Sequence, residues 1–227
     1  MVFNSAAFLF VFLPACLLLY WLVPGKRGKS LLLVFASLVF YAFGGLAQLP
    51  VLVLAAVWNY VFGRLLAPGA PRRKLWRTVG AAGDLCLLGV YKYLDFLLSS
   101  LGLPGLSQPL ALPLGISFFT FHGISYLLDV YREKTAPTRR FDDLFLYLAF
   151  FPRLIAGPIA AWREAEPQLR DHPASAEDTA AGLRRFVRGM VKKLLLAEGA
   201  AKVANAVFAL APESLGASLA WAGALAY

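Results

Sequence analysis

Three stretches of this sequence carry no charged side chain: residues 1–25, 30–63 and 96–128. Each exceeds the roughly 20 residues that take a helix across a hydrocarbon core about 30 Å thick. Charged residues make up 15% of the chain, against about a quarter in soluble domains. The runs are continuous rather than alternating, which excludes the two-residue period of an outer-membrane barrel. The chain is therefore expected to be all-α, a polytopic bundle of transmembrane helices.

The net charge is +9. A basic balance of this size suits nucleic acid or a membrane, and its distribution decides between them. The basic residues cluster in short loops between apolar runs: Lys26, Arg27 and Lys29; then Arg64, Arg72, Arg73, Lys74 and Arg77; then Arg132, Lys134, Arg139 and Arg140. Such clusters set the orientation of membrane helices, so no nucleic-acid partner is expected. The intervening connections, near Gly44 and over 101–112, are free of charge. Positive loops on the cytoplasmic side then put Met1 outside, in a multi-pass membrane protein. Leu13-Pro14-Ala15-Cys16 faintly suggests a cleavage box, but no Lys or Arg precedes the apolar run, so a retained first span is the better reading. Cys16 and Cys86 lie inside apolar runs without metal-like spacing and read as small buried hydrophobes.

In order, the spans are expected at about 6–23, 30–43, 49–66, 76–98 and 113–131. The uncharged run from residue 30 is too long for one crossing, and Gly44-Gly45 with Gln48–Pro50 marks its break. Lys92 and Asp95 in the fourth span are one turn apart and could pair. Beyond residue 141 the pattern changes. Pro152, Gly157 and Pro158 interrupt an apolar segment that carries Arg153, so a broken or re-entrant segment is expected at about 141–161. Cytoplasmic helices follow at about 162–193. Ser175 with Asp178 forms a capping-box pattern ahead of Arg184, Arg185, Arg188, Lys192 and Lys193, a basic face suited to anionic headgroups. A span at about 194–211 and an incomplete one at 215–227 close the chain, which suggests a fragment of a longer protein. All of it belongs to one membrane domain.

Candidate functional residues lie mostly in the fifth span. His122, Ser125, Asp129 and Arg132 fall at i, i+3, i+7 and i+10, within a narrow arc of an otherwise apolar helix. Ionisable groups in a membrane are costly and face protein or a watery cavity. His122 could act as a general base, but a histidine packed between helices or lining a passage is the better reading. Asp129 and Arg132 form an ion pair anchoring the span or line the entrance to a watery cavity, the ion pair being the simpler reading. Arg153, between two prolines, must find an anion, water or the carbonyls freed by a broken helix. Asp84 belongs to a polar path or bonds a neighbouring helix. No metal cluster, nucleophile elbow or phosphate loop is present in the sequence.

Taken together, LPLGISFFTFHGISYLLDVYR (112–132), FFPRLIAGPI (150–159) and the opening MVFNSAAFLFVFLP resemble the membrane-bound O-acyltransferases, most closely their alginate O-acetyltransferase branch. The resemblance covers essentially the whole chain. It implies a multi-span protein with a central tunnel, passing an acyl group from a cytoplasmic thioester such as acetyl-CoA, with no resident cofactor. It also implies O-acetylation of an extracytoplasmic polysaccharide such as alginate, finished by periplasmic acetyltransferase or polysaccharide-modifying partners. The family's catalytic histidine sits in a W-H-x-S-like stretch that this sequence lacks, since His122 stands in F-H-G and His172 in D-H-P. That histidine is expected beyond residue 227, which leaves His122, Ser125, Asp129, Arg132 and Arg153 as tunnel or donor-entrance candidates and this segment alone inactive. The rival readings are a transporter or channel subunit, which broken helices with intramembrane charges also mark, and a non-catalytic scaffold docking a secreted acetyltransferase.

Overall fold

The computed structural model describes residues 3, 5–103, 110–155, 157–170, 175–211 and 214–227. His172 lies outside them, as do residues 104–109 of the charge-free connection over 101–112. Every regular element among the described residues is helical. The chain divides into two compact units, 1–172 and 173–227.

In the first unit a π-helical turn, Phe8–Phe12, runs into α1 (Leu13–Leu22). Then come α2 (Lys26–Gly45), a 3-10 turn at Leu46–Gln48, α3 (Leu49–Leu65), α4 (Arg73–Ser100) and α5 (Ile116–Tyr131). Three short helices follow: α6 (Phe141–Ala149), α7 (Phe151–Leu154) and α8 (Trp162–Arg170). Among the described residues one helical stretch, Lys26–Leu65, is long and apolar enough to cross a membrane, and Phe8–Leu22 is a shorter apolar helix. The charges of α4 and the 16-residue length of α5 keep those helices below that measure. α5 is the hub of the unit, packing on α3, α4, α6 and α8.

Local chemistry fixes the ends of these helices. Pro50 and Pro152 sit in the first turns of α3 and α7, where a missing N–H costs little, and Pro14 follows directly on the π-helical turn that leads into α1. α4 ends in a Schellman turn: Leu103 N–H donates to Leu98 O at 2.9 Å, Gly102 N–H to Ser99 O at 3.1 Å, and Gly102 takes φ 74°. α5 ends the same way, through Lys134 N–H to Asp129 O and Glu133 N–H to Val130 O. Here a non-glycine residue, Glu133, occupies the left-handed position at φ 58°, a strained conformation for an L-residue.

Arg73, the first residue of α4, holds that strained corner. Its guanidinium pairs with the Glu133 carboxylate at 2.5 Å and donates to Tyr131 O at 2.9 Å and, across α3, to Leu66 O at 3.1 Å. One side chain thus satisfies carbonyls left open at the C-termini of two helices. Two tyrosines secure the following loop: Tyr60 OH donates to Arg139 O at 3.0 Å, and Tyr126 OH accepts from Thr138 N–H at 3.3 Å.

The interruption foreseen around Pro152 falls at Phe150, whose ψ of 108° separates α6 from α7. Pro152 has no N–H to continue α6, and its ring would strike the carbonyl of residue 148. The Phe151 amide freed by the break donates to Ser37 Oγ of α2 at 3.2 Å. Lys92 Nζ donates to Ser117 Oγ at 3.3 Å, reaching from α4 to α5.

In the second unit Ser175 and Asp178 make the reciprocal capping box that opens α9 (Ala176–Val191). Ser175 Oγ accepts from Asp178 N–H at 3.0 Å and the Asp178 carboxylate accepts from Ser175 N–H at 3.2 Å. A π-helical segment, Lys192–Ala197, leads into α10 (Glu198–Phe208), which packs against α11 (Ala217–Ala226). No residue of α9 is buried; Leu183, Val187 and Val191 form an exposed apolar stripe.

Candidate functional site

α5 presents its polar arc to two different surroundings. At its middle His122 is 1% exposed and its ring lies 4.9 Å, centroid to centroid, from Tyr147 of α6. Tyr147 is the centre of an aromatic cluster. Trp162 stands edge-on to it at 5.0 Å and to Tyr126 at 5.1 Å, and the Arg153 guanidinium lies 5.5 Å from its ring. The Tyr147 hydroxyl donates to Ala160 O at 2.8 Å, tying α6 to the strand of irregular chain before α8. Both His122 nitrogens, Trp162 Nε1 and Arg153 Nε are buried with no hydrogen-bond partner among the described residues. No carboxylate among the described residues orients the imidazole, so the arrangement lacks the acid that a histidine base uses to fix its tautomer.

Two turns on, the arc opens. Ser125, Asp129 and Arg132 share a cavity of about 370 Å³ with Phe121, Ile159 and Arg163. The Asp129 carboxylate is 5% exposed and accepts the Arg163 backbone N–H at 3.1 Å, with the Arg163 guanidinium 4.0 Å from its other oxygen. Asp129 therefore caps the N-terminus of α8 from a different helix, a position that favours negative charge. The ion pair expected of Asp129 is made with Arg163, 34 residues on. Arg132 remains exposed at the rim of the cavity. Two guanidinium groups at one mouth can hold an anionic ligand, with a buried carboxylate fixing the position of one of them.

Arg153 belongs elsewhere. It lines a separate cavity of about 470 Å³ walled by α1, α2 and the α7–α8 segment. Asp84 is buried where α3, α4 and α5 meet and accepts from Asn59 Nδ2 at 2.9 Å. A Cβ on Gly123 of α5 would run into that same Asn59 amide. Of the five candidates from the sequence, the structure thus brings Ser125, Asp129 and Arg132 together, sets His122 against Tyr147 and gives Arg153 its own cavity.

Sequence reasoning missed Arg163, Tyr147, Trp162 and Asn59. Arg163 and Trp162 stand side by side just past the broken segment, but nothing in their spacing ties them to residues of α5. No group of three or more His, Cys, Asp or Glu among the described residues is placed to hold a metal ion.

No family model matches the chain, and no solved structure matches it. Curated relatives do. The probable alginate O-acetylase AlgI of Pseudomonas syringae pv. tomato is 40% identical over 238 residues, covering 100% of this chain and 45% of that protein. Its counterpart from Azotobacter vinelandii is also 40% identical, over 100% of this chain and 47% of its own length. The peptidoglycan O-acetyltransferase of Helicobacter pylori is 34% identical over 100% of this chain and 50% of its own length. The chain spans about half the length of the curated relatives it matches. With identity near 40% sustained from end to end, the chain belongs to the membrane-bound O-acyltransferase family, in its alginate O-acetylase-like branch, and corresponds to the N-terminal half of such proteins.

Proposed function

We propose that this chain is the N-terminal half of a multi-pass inner-membrane O-acyltransferase. It works with an acetyl group from a cytoplasmic thioester, acetyl-CoA, delivered for O-acetylation of an extracytoplasmic polysaccharide such as alginate. The observation that carries this reading is the identity of 40% across the whole chain to alginate O-acetylases. The basic loops at 26–29, 64–77 and 132–140 face the cytoplasm, and the N-terminus faces outward.

In this reading the cavity holding Ser125, Asp129, Arg132 and Arg163 is the cytoplasmic mouth. Arg132 and Arg163 meet the phosphates of the donor, and Asp129 positions Arg163 from behind. His122 and Tyr147 form a wall of the acyl path, and a catalytic histidine comes from the other half of the full-length protein. Extracytoplasmic partners place the acetyl group on the polymer.

The test is acetyl-ester content of the surface polysaccharide after deletion of the full-length gene. Ester falls to background and returns on complementation if the reading holds; unchanged ester removes it. Acetate lost from peptidoglycan instead of exopolysaccharide would reassign the acceptor, a second reading favoured by the match to a peptidoglycan O-acetyltransferase.

A further inference from the structure

The Arg153 cavity is built unlike the mouth at Asp129. Its wall is almost wholly apolar: Leu13, Cys16, Leu17 and Tyr20 on one face of α1, Leu33 from α2, and Phe150, Phe151 and Leu169 opposite. Arg153 is the one charged side chain among the described lining residues. Its Nε is buried without a hydrogen-bond partner among them, while its guanidinium lies over the rings of Tyr147 and Phe150 at 5.5 and 5.7 Å. Aromatic faces hold a cation in place but accept no strong hydrogen bond, so its donor capacity is left unspent. A half-buried guanidinium whose Nε is sealed from solvent in that condition is completed by an anion.

The rest of the cavity says what kind of anion. A small hydrated ion gains nothing from apolar walls, whereas an alkyl chain gains from each methylene removed from water. A volume of about 470 Å³ lies in the range of small-molecule sites. A second groove of about 360 Å³, also walled by α1 and α2, meets the first at Cys16 and is lined by Val11, Phe12, Leu19, Phe35 and Val39. Val11, Leu19 and Phe35 of that second groove are themselves exposed, so it opens onto an apolar surface of α1 and α2.

We propose that the cavity between α1, α2 and the α7–α8 segment is a binding site for an anionic phospholipid, with one acyl chain along α1 and the phosphate on Arg153. The site is distinct from the cytoplasmic mouth and independent of acyl transfer. Phosphate also occurs in the thioester donor, but an apolar wall along α1 favours the lipid as its source.

The test uses the full-length protein purified in mild detergent, with native mass spectrometry of bound phosphatidylglycerol and phosphatidylcholine of matched chains. The wild type retains phosphatidylglycerol about tenfold over phosphatidylcholine, the ratio expected of one charge-assisted contact. Arg153→Gln brings the ratio to about one, and Arg153→Lys keeps most of the preference, since a point charge still attracts phosphate. Leu17→Trp, which fills the chain cavity, lowers retention of both lipids. An unchanged ratio in Arg153→Gln overturns the proposal, as does unchanged retention in Leu17→Trp. Displacement of the lipid by coenzyme A would assign the anion site to the donor and equally overturn it. Should Arg153→Gln fail to fold, as judged by thermal unfolding in detergent, the Lys and Trp variants decide.

Discussion

Asp129 shows how one residue serves two purposes. Its carboxylate both caps α8 through the Arg163 amide and faces the Arg163 guanidinium. Asp129→Ala removes the cap from the Arg163 amide and is expected to cost about 1 kcal/mol in thermal unfolding of the full-length protein. Asp129→Asn should cost less, because its amide oxygen still accepts the hydrogen bond. Arg163→Ala should cost least, since its side chain is 50% exposed and exposed pairs contribute little. Equal losses in all three would show that the cap is not the source of the stability. The arc of His122, Ser125, Asp129 and Arg132 was legible because helical periodicity fixes angle around an axis. Depth and partners were not: periodicity carries no information on which distant segment covers each residue. Hence His122 is sealed against Tyr147 while the residues one and two turns on open to a cavity.

Among the elements, α4 begins with the residue that finishes two others. Arg73→Ala should destabilise the protein by about 2 kcal/mol, because hydrogen bonds to a charged group at the ends of α3 and α5 are lost together. Arg73→Lys should recover little of this, since an ammonium cannot span three acceptors in a fork. Detergent melting curves of the two variants check this; full recovery by Lys would reduce the residue to simple charge. In the sequence Arg73 was one more member of a basic loop, and nothing in that loop distinguishes it from Arg72 or Lys74. The cap of α9 is the opposite case, legible from Ser175 and Asp178 alone because a capping box is local. The Ser175 hydroxyl and amide, donating to the Asp178 carboxylate, hold its carboxyl below the usual range. A depressed value means that this support is present above the ordinary aspartate pKa of about 3.9 and is lost as pH falls through the lower folded value. Amide exchange at Asp178 should accelerate several-fold in Ser175→Ala at neutral pH and show the same loosening in the native chain only in acid.

At the scale of the whole molecule, the proposed orientation makes its own prediction. A cysteine replacing exposed Lys74 or Arg139 should react with membrane-impermeant reagents only after the cytoplasmic face is opened, whereas one replacing Leu103 should react from outside. The reverse pattern would invert the bundle and the donor route drawn through it. Helix class was written plainly in the uncharged runs, but the number of crossings was not. α4 carries Asp84, Lys92 and Asp95 within its 28 residues, and α5 has only 16, so hydropathy alone cannot count them. The loop after α5 differs in kind from an ordinary connection. Loops commonly accept inserted residues without penalty, but this one is pinned at Thr138 by Tyr126 and at Arg139 by Tyr60. Its length is thereby a fixed measure between α5 and α6. Evolution can vary the side chains along that arch, yet a single residue added or removed before Thr138 would drag α6, and Tyr147 with it, out of register with His122.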